Sequence, residues 1–191
     1  MQKEIELFIP SSRQEWREWL EQHHLSKDSI WLVYYRKQTK IPSIIYTEAV
    51  DEALCFGWID SVQKKLDENR SIQYFSKRKP KSVWSKINKE KIQKLTEQGL
   101  MKPAGIQSVE IAKENGSWVI LDEVEELVVP TDLKKAFKAA KGSETFFMGL
   151  SKSIRKAILQ WIVMAKRPET RQKRIEEVAS KCSKGMKPYN F

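Results

Sequence analysis

Trp58, Asp60, Trp84, Ser85 and Asn88 bring two indoles, a carboxylate, a hydroxyl and an amide into one short span of the chain. Generic helix or strand filler requires none of them. Indole faces hold flat or apolar groups, while the carboxylate, hydroxyl and amide supply acceptors and donors. The chemistry these types could do together is recognition of a small molecule in an apolar pocket with a few polar groups. Each residue also has a structural reading: Asp60 beside an indole needs a partner with or without a ligand, and an isolated core amide such as Asn88 commonly ties down a loop.

A second constellation is basic. Lys77, Arg78, Lys79 and Lys81 stand together, and Lys166, Arg167, Arg171 and Arg174 recur near the C-terminus. The formal net charge is +10, and its placement is uneven: residues 131–191 hold 15 Lys and Arg against 5 Asp and Glu, whereas residues 1–130 hold 20 of each. From Lys77 to Lys94 eight basic residues face one acid, Glu90, while Glu114 to Glu126 holds five acids and no base. Such clusters suit nucleic acid or another polyanion, and a solvated helix face explains them equally simply.

Signatures of catalysis are absent. There is no glycine-rich phosphate loop, no nucleophile elbow and no cysteine pair at metal spacing, so no catalytic residue is assigned and a binding role is expected ahead of an enzymatic one. The two histidines, His23 and His24, are adjacent and would point in different directions on a helix, which argues against a histidine-built metal site. No cofactor is implied. Cys55 and Cys182 lie far apart, as expected of free thiols in a reducing compartment. Cys55 follows an acidic helix face at a helix C-terminus, where a thiolate is disfavoured, so it reads as a packing residue. No apolar run approaches the roughly 20 residues of a membrane span, and Met1 to Glu6 lacks the apolar core of a leader, so no membrane insertion and a cytoplasmic location are expected.

The elements that must position these residues can be read from periodicity. Glu6 to Ile9 suits a short strand, Ser11 or Ser12 caps a helix carrying Trp16, Trp19 and Leu20, and Ser29 to Arg36 is a β-branched and aromatic run that predicts a central strand. Ala49, Val50, Ala53 and Leu54 share a helix face that Gly57 ends. A strand from Trp58, with Trp58, Asp60 and Val62 on one side, turns through residues 66–70 into Ile72 to Phe75. Ser82 or Ser85 should open a helix with Trp84, Ile87, Ile92 and Leu95 inside, and Asn88 beside them. Pro103 opens a helix that Asn115-Gly116 closes. Trp118 to Leu121 and Glu125 to Val129 are short apolar pieces ended by Pro130. Beyond Pro130 the pattern is helical, with Ile154, Ala157, Ile158, Trp161 and Ile162 on one stripe and Ile175, Val178, Ala179 and Cys182 on another. The expected fold is α+β: a small mixed sheet of about four strands in the order β-α-β-α-β-β, packed with helices and followed by an all-helical C-terminal half. Residues 1–100 read as the α+β domain, 101–130 as a linking helix with short apolar segments, and 131–191 as a basic helical domain.

Glu52-Ala53-Leu54-Cys55-Phe56-Gly57-Trp58-Ile59-Asp60 within Tyr46 to Ser61, then Trp84-Ser85 with Asn88 and Gly99-Leu100-Met101-Lys102-Pro103-Ala104-Gly105, resemble the bacterial YdeI/OmpD-associated, or bacteriocin-protection, family. Trp118 and Leu121, Leu159-Gln160-Trp161-Ile162, Ala165-Lys166 and Glu169 to Ile175 extend the resemblance over nearly the whole chain. Ser61 departs from it, standing where glycine is expected. The resemblance implies a stress-protection role and supplies no catalytic residue. Three functions follow: an adaptor or stress protein that binds a protein partner, a protein that binds nucleic acid or another polyanion through the eight basic residues, and a small-molecule pocket or unrecognised enzyme at Trp58, Asp60, Trp84, Ser85 and Asn88.

Overall fold

The computed structural model describes residues 6–188; residues 1–5, part of the stretch read above for a leader, lie outside it. The chain forms two compact units, Met1–Trp118 and Val119–Phe191. The stretch from 101 to 130 is divided between them.

The first unit is built on a four-stranded mixed sheet. Its elements run β1 (Leu7–Phe8), α1 (Arg13–His23), β2 (Ser29–Tyr35), α2 (Tyr46–Cys55), β3 (Trp58–Lys65), β4 (Arg70–Lys77), α3 (Lys86–Glu97) and α4 (Pro103–Glu114). The strand order is β1-β2-β4-β3, with β1 parallel to β2 and the other pairs antiparallel. The expected β-α-β-α-β-β order and the central position of β2 are both seen. The helix between β1 and β2 is what permits their parallel pairing. Trp16 and Leu20 of α1 and Ala49, Ala53 and Leu54 of α2 join Ile30, Leu32, Phe75 and Trp58 in one core, all of them at most 2% exposed.

Two expectations are corrected. Val62 does not share the inner side with Trp58 and Asp60, because an irregularity between Asp60 and Gln63 shifts the register and leaves Val62 exposed. The helix after β4 begins at Lys86. Ser85 caps it by accepting from the Asn88 N–H at 3.3 Å, so Trp84 lies before the helix, and Ile87 is 65% exposed instead of facing inward.

The second unit is helical: α5 (Asp122–Glu125), α6 (Thr131–Ala139), α7 (Ser143–Gly149), α8 (Lys152–Val163) and α9 (Pro168–Ser183). The stripe Ile175, Val178, Ala179 and Cys182 is buried as expected, as are Leu133 and Phe137 of α6 and Phe147 of α7, the two helices that α9 packs on. On α8 the buried set is Ile158, Leu159 and Ile162; Trp161 is only partly covered. Arg171 ties α9 to α6 through two bonds to Asp132, at 2.7 and 3.1 Å. These hydrogen bonds and charge hold the Asp132 carboxyl below its ordinary range.

Candidate functional site

The site forms where β4 ends. The Arg78 N–H donates to Gly57 O at 2.9 Å, tying the end of β4 to the residue just before β3. The side chain then lies over Trp84, with the guanidinium carbon 3.6 Å from the ring centroid. Arg78 Nη2 donates to Val83 O at 2.8 Å, but Nε and Nη1 are buried and have no hydrogen-bond partner. Burial pushes the Arg78 pKa down to about 10, with the Asp60 charge opposing the fall, and the group stays cationic at neutral pH. A buried cation whose donors are left unmet is costly, and the stacking on Trp84 offsets only part of that cost, about 2 kcal/mol.

Arg78 lines a cavity of 200 Å³ whose walls include Phe56, Trp58, Trp84, Ala104 and Ile111. Three features fix its shape. Trp58 Nε1 donates to His24 O at 3.3 Å, which seats the indole against the end of α1. Pro80 O accepts from Asn115 Nδ2 at 2.8 Å and Ser117 Oγ at 3.3 Å, pinning the loop between β4 and α3 to the end of α4. The helix α4 can approach only because Gly105 has no side chain: a Cβ there would stand 2.2 Å from Cys55 O. His24 also lines the cavity. Its Nδ1 lies 2.8 Å from Leu20 O, and a carbonyl only accepts, so Nδ1 carries the proton and Nε2 is the remaining nitrogen.

The structure brings Trp58, Trp84 and Arg78 together and sets the other expected pocket residues elsewhere. Asp60, half-buried, accepts from Tyr46 Oη at 2.8 Å and Gln73 Nε2 at 3.2 Å, and it is not a wall of the cavity. Ser85 is the cap of α3, and Asn88 is the residue whose N–H that cap receives. Tyr34, near Asp60, has a buried hydroxyl with no partner. Of the eight basic residues, Lys77 is engaged with Leu25 O and Asp28, Arg78 is in the cavity wall, and Lys79 and Lys81 are exposed. Lys166 and Arg167 are exposed, Arg171 pairs with Asp132, and Arg174 lies over the Trp161 ring and donates to Trp161 O. Cys55 and Cys182 are buried free thiols, and burial pushes each up to about 11, Cys55 with help from the Glu52 charge.

Sequence reasoning missed His24 as a wall, and it missed an ion cluster beside the site. Glu52, 2% exposed, accepts from Arg13 Nε and Arg17 Nη1, each at 2.5 Å. Arg17 also donates to Leu100 O at 3.0 Å and lies over Phe56, 5.4 Å from its centroid. The available signal was the i, i+4 spacing of Arg13 and Arg17 on one helix and an acid, Glu52, standing directly before Ala53 and Leu54 on another. Among the described residues no group of three or more His, Cys, Asp or Glu could hold a metal ion, and no helix is long and apolar enough to cross a membrane.

Comparison with known families divides the chain much as its fold does. Residues 8–108 match the family described as Domain of unknown function (DUF8412), and residues 126–185 match the family described as Bacteriocin-protection, YdeI or OmpD-Associated. The YdeI/OmpD resemblance is thereby shown for the C-terminal region, whereas the segment from Glu52 to Gly105, which also resembles that family, falls within the first match. No curated protein and no solved structure matches the chain. With more than half of its length covered by the first match, the chain belongs to the DUF8412 family and carries a YdeI/OmpD-associated region at residues 126–185.

Proposed function

We propose that this is a cytoplasmic stress-protection protein that works by binding, and that its first unit takes a small, negatively charged molecule into the Arg78 cavity. One observation carries the reading: a cationic guanidinium is buried in the wall of an aromatic cavity with two nitrogens that no protein group meets. An anionic ligand in the cavity would set a counter-charge beside this guanidinium, in addition to the more distant Asp60. The stress-protection part rests on the name of the family matched at residues 126–185.

Thermal unfolding in the presence of small anionic, neutral and cationic fragments tests it. A ligand at 100 times its Kd stabilises by about 2.7 kcal/mol. Anions are expected to raise the melting temperature of the wild type and not of Arg78→Met. Equal stabilisation of both proteins, or by all three fragment classes, would contradict the reading.

A polyanion site is a second reading, favoured by one observation. Lys166, Arg167, Thr170 and Arg174 line a shallow hollow of 350 Å³ at the start of α9. Since Arg171 is paired and Arg174 is engaged with Trp161, Lys166 and Arg167 would make the phosphate contacts. Changing both to glutamine should flatten the salt dependence of duplex binding by about 2 × 0.9 units. An unchanged slope, or no binding at low salt, would remove this reading.

A further inference from the structure

Independently of the Arg78 cavity, we infer that the outer side of the sheet is a platform on which the bases of single-stranded nucleic acid stack. The helices of the first unit gather on the other side. Trp16 of α1 lies 5.5 Å from Phe75, centroid to centroid, and residues of α2, α3 and α4 join the same core around Ile30, Leu32 and Phe75. Strand residues alternate in direction, so the register sets Trp31 opposite Tyr74, and Val33 opposite Ile72, on the outer side. Val33 and Ile72 are 0% and 5% exposed, yet neither belongs to that core. Trp31 and Tyr74 stand beside them on the two central strands, and both keep part of their surface in solvent.

Geometry and charge together select the occupant. The Trp31 and Tyr74 rings are inclined at 59°, with centroids 5.1 Å apart. Adjacent bases in a duplex are parallel, so two bases that each lie flat on one of these rings must be splayed out of a single strand. No strand residue that the register places on this side is acidic, among those described. Lys64, which is exposed and pairs with Ile72 across β3 and β4, sends its side chain over β4 and sets Nζ 5.1 Å from the Trp31 centroid. That contact yields to a base: stacking on an aromatic ring is worth about 5- to 150-fold in affinity per base, and a cation over an exposed ring about 2- to 5-fold. The displaced ammonium then stands beside the strand it made room for, where a phosphate can take it. Arg70, the other basic residue on this side, is already held by Asp67.

The probe is a labelled oligothymidine of about 12 nucleotides, titrated with the full chain and followed by fluorescence anisotropy at several salt concentrations. A strand of the same length and charge that lacks its bases is the comparison. The oligothymidine is expected to bind, and the abasic strand to bind about tenfold or more weakly. Trp31→Leu and Tyr74→Leu keep an apolar cover over Val33 and Ile72 and remove the ring, so each should weaken the oligothymidine about 5-fold or more and leave the abasic strand unchanged. Lys64→Gln alters an exposed side chain and decides the matter even if the ring variants fail to fold: it should flatten the salt slope by about 0.7 units. Equal binding of the two strands would make the chain a phosphate binder without stacking and overturn the proposal. So would no binding of oligothymidine at low salt, or an unchanged slope in Lys64→Gln. Binding that is lost on changing Lys166 and Arg167 and is indifferent to Trp31 and Tyr74 would place the strand on α9 instead, and would overturn it too.

Discussion

Gly105→Ala is expected to destabilise the first unit by about 3 kcal/mol or more, the upper end of what overpacking costs. The added Cβ would lie 2.2 Å from Cys55 O, 2.7 Å from Cys55 C and 2.8 Å from Leu54 O. All three are backbone atoms at the end of α2, so no side chain can swing aside to make room. Either α4 moves out, opening the cavity wall that Ala104 and Ile111 provide, or the end of α2 unwinds. Gly57, at φ +73°, is pinched from the other side, since its own Cβ would stand 2.7 Å from Ala104 O. Gly149→Ala is the control: nothing lies within 4 Å of that Cβ, and a change under about 0.5 kcal/mol is expected. Chemical denaturation of the two variants measures both, and a Gly105→Ala midpoint equal to the wild type would show that the helices do not approach this closely.

Glu52→Gln should cost about 3 kcal/mol. The substitution preserves shape and removes the charge that two arginines share. Arg13 is 39% exposed and can turn to water, but Arg17 is 16% exposed and would be left with a carbonyl, the face of Phe56 and the exposed Glu21 carboxylate at 3.9 Å. Breaking a buried pair by removing one partner costs about 3–5 kcal/mol, and the lower end fits a cluster that is only partly enclosed. If uncompensated charge is the cause, Glu52→Leu combined with Arg17→Met should recover most of the loss, because well-packed apolar residues replace such clusters at little cost. A double variant as unstable as Glu52→Gln would attribute the effect to packing at residue 52.

What could be read from the sequence was whatever depends on periodicity. The run from Ser29 to Tyr35 is rich in aromatic and β-branched residues, and it lies inside the sheet. The α9 stripe is four apolar positions at helical spacing, and all four are buried. The site was legible only in part, since long-range geometry decided it. Trp58 and Trp84 could be singled out by type, but Arg78 reads as one more member of a basic run until the loop between β4 and α3 folds it onto Trp84. Asp60 is two residues from Trp58 and shares its side of the strand, yet Tyr46 and Gln73 hold it apart from the cavity. Ser85 and Asn88 stand near Trp84 in sequence, but their spacing of three is that of a helix cap and the N–H it receives. Glu52 carried no visible sign of burial because acids are rarely buried, and its two partners lie 39 and 35 residues away.

The central claim is that the Arg78 cavity receives a small anion, and side-chain N–H resonances followed through a benzoate titration test it most directly. The Arg78 Nε–H and the indole N–H signals of Trp58 and Trp84 should move together along one saturation curve. Trp31, which packs on Tyr74 with ring centroids 5.1 Å apart and is not a wall of the cavity, should stay in place. Shifts confined to residues away from Arg78, or signals from Arg78, Trp58 and Trp84 that do not move up to millimolar benzoate, would contradict the claim.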